Sequence, residues 1–126
     1  MNILIIEQEK TVQQSLYYFM ERFKSWQVFL ANSQREGTSI YESVPFDVVL
    51  CADRLPDGNG LQTLKSFMKR NPKLISILMT VHGDESLRQE AMRAGVRCYL
   101  EKPFDLKELE EAIGLGHGMS LTVKNQ

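Results

Sequence analysis

Five short apolar runs alternate with five amphipathic segments, and that order predicts an α/β fold, a doubly wound (βα)5 sheet in a three-layer sandwich. Three observations carry the expectation. Residues 2–6, 46–51 and 74–79 are near-continuous apolar stretches, as strands buried on both faces require. Between them, apolar side chains recur at helical spacing. Gly, Pro, Asn or Asp marks most junctions.

Residues 2–6 read as the first strand. Val12, Leu16, Phe19, Met20 and Phe23 then mark one face of a helix over 9–24. The second strand is expected over 26–30 and a weaker helix over 34–42. Gly37 inside that helix costs about 1 kcal/mol relative to Ala, which points to close packing on the sheet. Pro45 ends the connection and the third strand begins. A loop over 52–60, rich in Pro and Gly, leads into a helix from Leu61 that stops before Asn71-Pro72. The fourth strand is 74–79, followed by Thr80-Val81-His82-Gly83. Asp84 reads as the N-cap of a helix through Ala94, with Gly95 as its left-handed stop. The fifth strand is 97–100. Asp105 with Glu108 makes an Asp version of the capping box, and Leu106, Leu109, Ala112 and Ile113 face the core. Gly114, Gly116 and Gly118 are expected to end the last helix, so that residues 1–115 form the domain and 116–126 a tail or the start of a linker. The sheet order expected is 2-1-3-4-5, that of flavodoxin-like folds.

At 126 residues the chain suits one domain. Fifteen basic and sixteen acidic side chains give a net charge of −1, which argues against direct nucleic-acid or membrane-surface binding. Cys51 and Cys98 sit far apart in apolar runs and read as free thiols of a reducing compartment. The amino terminus lacks a signal-peptide pattern and no run reaches membrane-spanning length, so a cytoplasmic location is expected. His82 and His117 have no companions at ligand spacing and are not read as metal ligands.

Right-handed crossovers put every strand-to-helix loop at the carboxyl edge of the sheet. That edge should collect Glu7, Gln8 and Glu9, then Ala52 and Asp53, then Thr80, then Lys102. Acids, a hydroxyl and a lysine around one crevice form the inventory of a phosphoryl-handling site.

The same residues carry a resemblance. Ile3-Leu4-Ile5-Ile6 before an acidic cluster, Asp47-Val48-Val49-Leu50, Leu55-Pro56-Asp57-Gly58-Asn59-Gly60, Met79-Thr80-Val81-His82-Gly83, Ala91-Met92-Arg93-Ala94-Gly95 and Tyr99-Leu100-Glu101-Lys102-Pro103-Phe104 occur in order. In this the chain resembles a two-component response-regulator receiver domain from residue 2 to about 115. The second half is similar to receivers that precede sigma-54-dependent activators. The resemblance implies phosphorelay signalling linked to transcription regulation, through a phosphoacceptor Asp ending the third strand. Counting back from Pro56 and Gly60, or forward from Asp47, puts Ala52 at that position each time. The acidic pair after the first strand falls on Glu7 and Gln8. Thr80, Tyr99 and Lys102 match the switch hydroxyl, switch aromatic and phosphate-pairing lysine. Lys102-Pro103 matches a bond that is usually cis in the family.

The departures have direct chemical consequences. A methyl group has no lone pair, so aspartyl phosphorylation cannot occur at Ala52. Magnesium is held by carboxylates and phosphate oxygens, so Ala52 and Gln8 leave its binding weak or absent and no cofactor is expected. Removing like charges relieves repulsion, and Lys102 needs another partner, for which Glu7 is the candidate. Alternation along the strand aims Asp53 away from the crevice. The reading is therefore an atypical, non-enzymatic receiver that signals by protein contact, with the resemblance placing its partner surface over Asp84 to Gly114. An output domain in a longer chain and a homodimer are further partners the resemblance allows. The alternatives are a phosphorylatable receiver using Asp53 and a small-molecule binder that reuses the crevice.

Overall fold

A computed structural model describes residues 1–117. The elements run β1 (Asn2–Ile6), α1 (Lys10–Met20), β2 (Gln27–Ala31), α2 (Gln34–Ser43), β3 (Val48–Ala52), α3 (Gly60–Arg70), β4 (Ile75–Thr80), α4 (Glu85–Ala94), β5 (Cys98–Glu101) and α5 (Leu106–His117). All the strands of the main sheet pair in parallel, in the order β2-β1-β3-β4-β5. This is the expected doubly wound, flavodoxin-like order. Strand alternation splits the core in two. Leu4, Ile6, Val49, Cys51 and Leu78 face one layer, with Leu61, Leu64 and Phe67 of α3 and Ala91 of α4. Ile3, Ile5, Val48, Leu50, Ile77 and Met79 face the other, with Leu16 and Phe19 of α1 and Leu109 and Ile113 of α5.

Capping chemistry sets most boundaries. Asp84 accepts the Leu87 N–H at 2.7 Å, and Gly95 closes α4 in the left-handed region at φ 104°, both as expected. Ser33 and Asn59 cap α2 and α3 through the N–H groups of Glu36 and Gln62. Half of the expected box at α5 forms: Glu108 accepts the Asp105 N–H at 3.1 Å, while the Asp105 carboxylate turns to the Lys107 N–H. Gly37 lies flush on the sheet, where a Cβ would come within 2.5 Å of Ile6 Cδ1.

Several boundaries differ from the sequence reading. Helix α1 ends at Met20, and residues 21–25 form turns. Trp26 donates its N–H to the Phe23 carbonyl in those turns, and its ring stacks on Phe23 at 4.1 Å, so β2 starts one residue late. Strand β3 begins at Val48 and includes Ala52, paired with Met79, and β4 includes Thr80. Helix α5 runs through Gly114 and Gly116 to His117, since burial of Leu109, Ala112 and Ile113 outweighs about 1 kcal/mol per glycine. The third glycine of that series, Gly118, and the tail beyond it lie outside the described residues.

The loop after β3 holds an unexpected two-residue antiparallel ribbon, Arg54–Leu55 with Gly58–Asn59. At its tip, the Asp57 carboxylate accepts the N–H groups of Gln34 at 2.8 Å and Arg35 at 3.0 Å, clasping the free amino end of α2. These backbone donors hold its carboxyl below the ordinary carboxylate range. Its stabilisation is therefore complete above about pH 4, the unfolded value, and is lost as pH falls through the lower folded one. Asp57→Ala is expected to lower the melting temperature at neutral pH and to flatten the acid limb of stability against pH. A thermal melt series across acid pH measures both, and an acid limb identical to that of the parent chain would remove the clasp from the account.

Candidate functional site

The carboxyl ends of β1, β3, β4 and β5 open into one cleft of about 310 Å³, lined by Glu7, Gln8, Glu9, Ala52, Asp53, Arg54, Met79, Thr80, Val81 and Lys102. Parallel strands deliver their ends to the same edge, which is why residues so distant in sequence meet there. Gly60 makes the approach of α3 possible: a Cβ there would sit 2.0 Å from the Ala52 carbonyl oxygen. Its N–H donates to the Asp53 carbonyl at 2.8 Å, and the Asp53 N–H donates to the Met79 carbonyl at 2.7 Å.

The cleft is organised by one ion pair. Lys102 Nζ lies 2.6 Å from Glu7 Oε1 and 3.5 Å from Glu9 Oε1. Glu7 is 2 % exposed and the Lys102 side chain 10 %, so the pair is largely out of water. The second Glu7 oxygen accepts the Glu9 N–H at 3.0 Å, and the Lys102 N–H donates to the Thr80 carbonyl at 2.7 Å. Lys102 thus has the partner the sequence reasoning assigns it. The buried amide of Gln13 donates to the Glu7 carbonyl at 2.8 Å and to Asn32 Oδ1 at 3.0 Å, holding the turn from which Glu7 projects. Sequence reading missed Gln13, although a lone amide on an otherwise apolar helix face was a usable signal.

Other site residues are satisfied locally. Thr80 Oγ1 accepts the His82 N–H at 3.2 Å. Tyr99 does not line the cleft. Its hydroxyl accepts the Asp84 N–H at 3.1 Å, and burial followed by the nearby carboxylates of Glu101, Asp84 and Asp53 pushes its pKa up. Gly83 lies against it, where a Cβ would meet the Tyr99 hydroxyl at 2.5 Å. Asp53 is half-buried and is among the residues that line the cleft. The β-ladder ends at Ala52, so its period does not govern the next residue. Cys51 behind the cleft is buried, and desolvation with the charges of Glu7 and Asp53 pushes its thiol far up. The Lys102–Pro103 bond is cis.

The profile of the response regulator receiver domain family matches residues 3–114. This chain belongs to that family. The receiver is 30% identical over 110 residues to the response regulator protein PilR of Pseudomonas aeruginosa, covering 87% of this chain and 24% of PilR. It is 32% identical over 107 residues to the regulatory protein AtoC of Escherichia coli, covering 85% of this chain and 23% of AtoC. The chain therefore spans about a quarter of the length of these curated relatives. Among solved structures, a receiver domain protein from Clostridium thermocellum superposes with a TM-score of 0.84 at 29% identity, over 97% of this chain and 98% of that one. The non-phosphorylated HemR receiver domain of Leptospira biflexa gives 0.81 at 28%, over 89% and 93%. No described helix of the receiver is long and apolar enough to cross a membrane.

The metal that the family resemblance implies is magnesium, and the donor set does not fit it. Both oxygens of Glu7 are engaged, by Lys102 and by the Glu9 N–H. Gln8 is neutral and exposed, and Ala52 offers only a methyl group. Among the described residues no group of three or more His, Cys, Asp or Glu side chains is placed to hold a metal ion.

Proposed function

We propose that this receiver transmits signals by protein contact, without phosphorylation at Ala52 and without catalysis of its own. The observation that carries the reading is the 2.6 Å Glu7–Lys102 pair beside the Ala52 methyl. The lysine is neutralised from within the fold, at the place where the family resemblance assigns it a phosphoryl group. Thr80 and Tyr99 likewise hold backbone N–H groups of the β4–α4 loop. With no covalent input, the balance between conformations is set by sequence and by what binds. The partner surface is proposed over Asp84 to Gly114. The length of PilR and AtoC, and their names as regulatory proteins, support an output segment in a longer chain. One structural neighbour is the beryllofluoride-activated NtrC4 receiver domain dimer, which supports a homodimer as a further assembly.

Incubation with acetyl phosphate and magnesium, followed by intact mass, should leave the mass unchanged. Beryllofluoride with magnesium should leave the melting temperature unchanged. A phosphoryl adduct on the intact chain would overturn the reading. The second reading, phosphorylation of Asp53, is favoured by the place of that residue in the cleft lining, and peptide mapping of any adduct would identify it.

A further inference from the structure

We propose that the corner where α3 and α4 end is a docking surface for an acidic protein segment. It lies at the edge of the sheet opposite the cleft. Residues 93–97 fall within the partner range proposed above, but this surface is defined by charge and does not depend on the state of the cleft. Residues 69–73 and 93–97 contain five cations and no acid: Lys69, Arg70, Lys73, Arg93 and Arg97, all exposed. Tertiary packing holds the second segment against Met68 and Ser76, which flank the first. The Arg97 N–H donates to the Ser76 carbonyl at 2.9 Å, and Ser76 Oγ donates to Met68 Sδ at 3.1 Å. The Cβ position of Gly95 lies 3.7 Å from the same sulfur.

Among the described residues, Arg70 is the one member of the five in an ion pair, with Glu42 at 3.1 Å. Lys69, Arg70 and Arg93 stand in the last turns of their helices, where a cation complements the helix dipole by about 0.3–1 kcal/mol. Lys73 and Arg97 do not. They lie past the helix ends, immediately before β4 and β5, where the dipole has little reach.

A net charge of −1 conceals this polarity, because many of the balancing acids sit at the other edge: Glu9, Asp53, Asp84, Glu101 and Asp105. Duplex DNA carries one charge per about 1.7 Å along a length well beyond a corner of five cations. A short run of Asp or Glu meets only the corner, and complementary charge there supplies both steering and register.

The test is a titration of the whole chain with a peptide of about eight glutamates, followed residue by residue by NMR in about 50 mM salt. Saturable shifts confined to residues 68–74 and 92–98 are expected, with affinity about tenfold weaker in about 300 mM salt. Lys73→Glu with Arg97→Glu should abolish them at an unchanged melting temperature. The milder Lys73→Gln with Arg97→Gln should weaken them. Shifts centred on the cleft, absence of saturable shifts, or equal binding by the charge-reversed chain would overturn the proposal. So would tighter binding of a short DNA duplex than of the peptide.

Discussion

Glu7→Leu is expected to destabilise the fold by about 3 kcal/mol, the scale measured when one partner of a buried ion pair is removed. The change leaves the Lys102 ammonium in a site where its side chain is only 10 % exposed. Glu9, at 3.5 Å but more than half exposed, offsets part of the loss through a screened interaction. The double change isolates the cause. Glu7→Leu with Lys102→Met removes both charges and should recover most of the lost stability, because no buried charge is left unpaired. Urea unfolding of the parent chain, Glu7→Leu, Lys102→Met and the double variant gives the coupling energy directly. Single changes that simply add, with no recovery in the double, would show that the pair does not organise the cleft.

The second large effect concerns repair of the site. Ala52→Asp alone should restore little magnesium binding, since the new carboxylate would stand beside neutral Gln8 and a Glu7 already engaged by Lys102. Ala52→Asp with Gln8→Asp puts two carboxylates, and so two negative charges, on the same cleft wall. Magnesium affinity should then rise on the order of tenfold or more, because affinity for a hard cation follows ligand charge count. The added repulsion should lower the melting temperature in the absence of metal. Magnesium titration followed by NMR measures the gain, and acetyl phosphate with intact mass reads the recovered acceptor. Full recovery from Ala52→Asp alone would show that Gln8 carries no weight.

The cleft and the basic corner lie at opposite edges of the sheet. At the carboxyl edge Lys102 pairs with Glu7, and Thr80 accepts the His82 N–H. At the amino edge of β4 and β5 five cations face outward, one of them paired.

The sequence by itself determined the doubly wound topology, the order of the strands and the set of residues that could reach the cleft. Those properties depend on period and punctuation. Buried strands such as 48–52 must be apolar throughout, helices must repeat near 3.6, and Gly95 must take a left-handed turn. Ala52 was likewise placed by counting alone. Only the tertiary structure decided how far α5 runs past its glycines and that Tyr99 turns to Asp84. The clasp of Asp57 on α2, the anchoring of the Glu7 turn by Gln13, and the meeting of residues 69–73 with 93–97 were equally out of reach. Each of these depends on contacts between segments far apart in the chain. Their geometry follows from how the helices settle on a twisted sheet, and local periodicity carries no information about it.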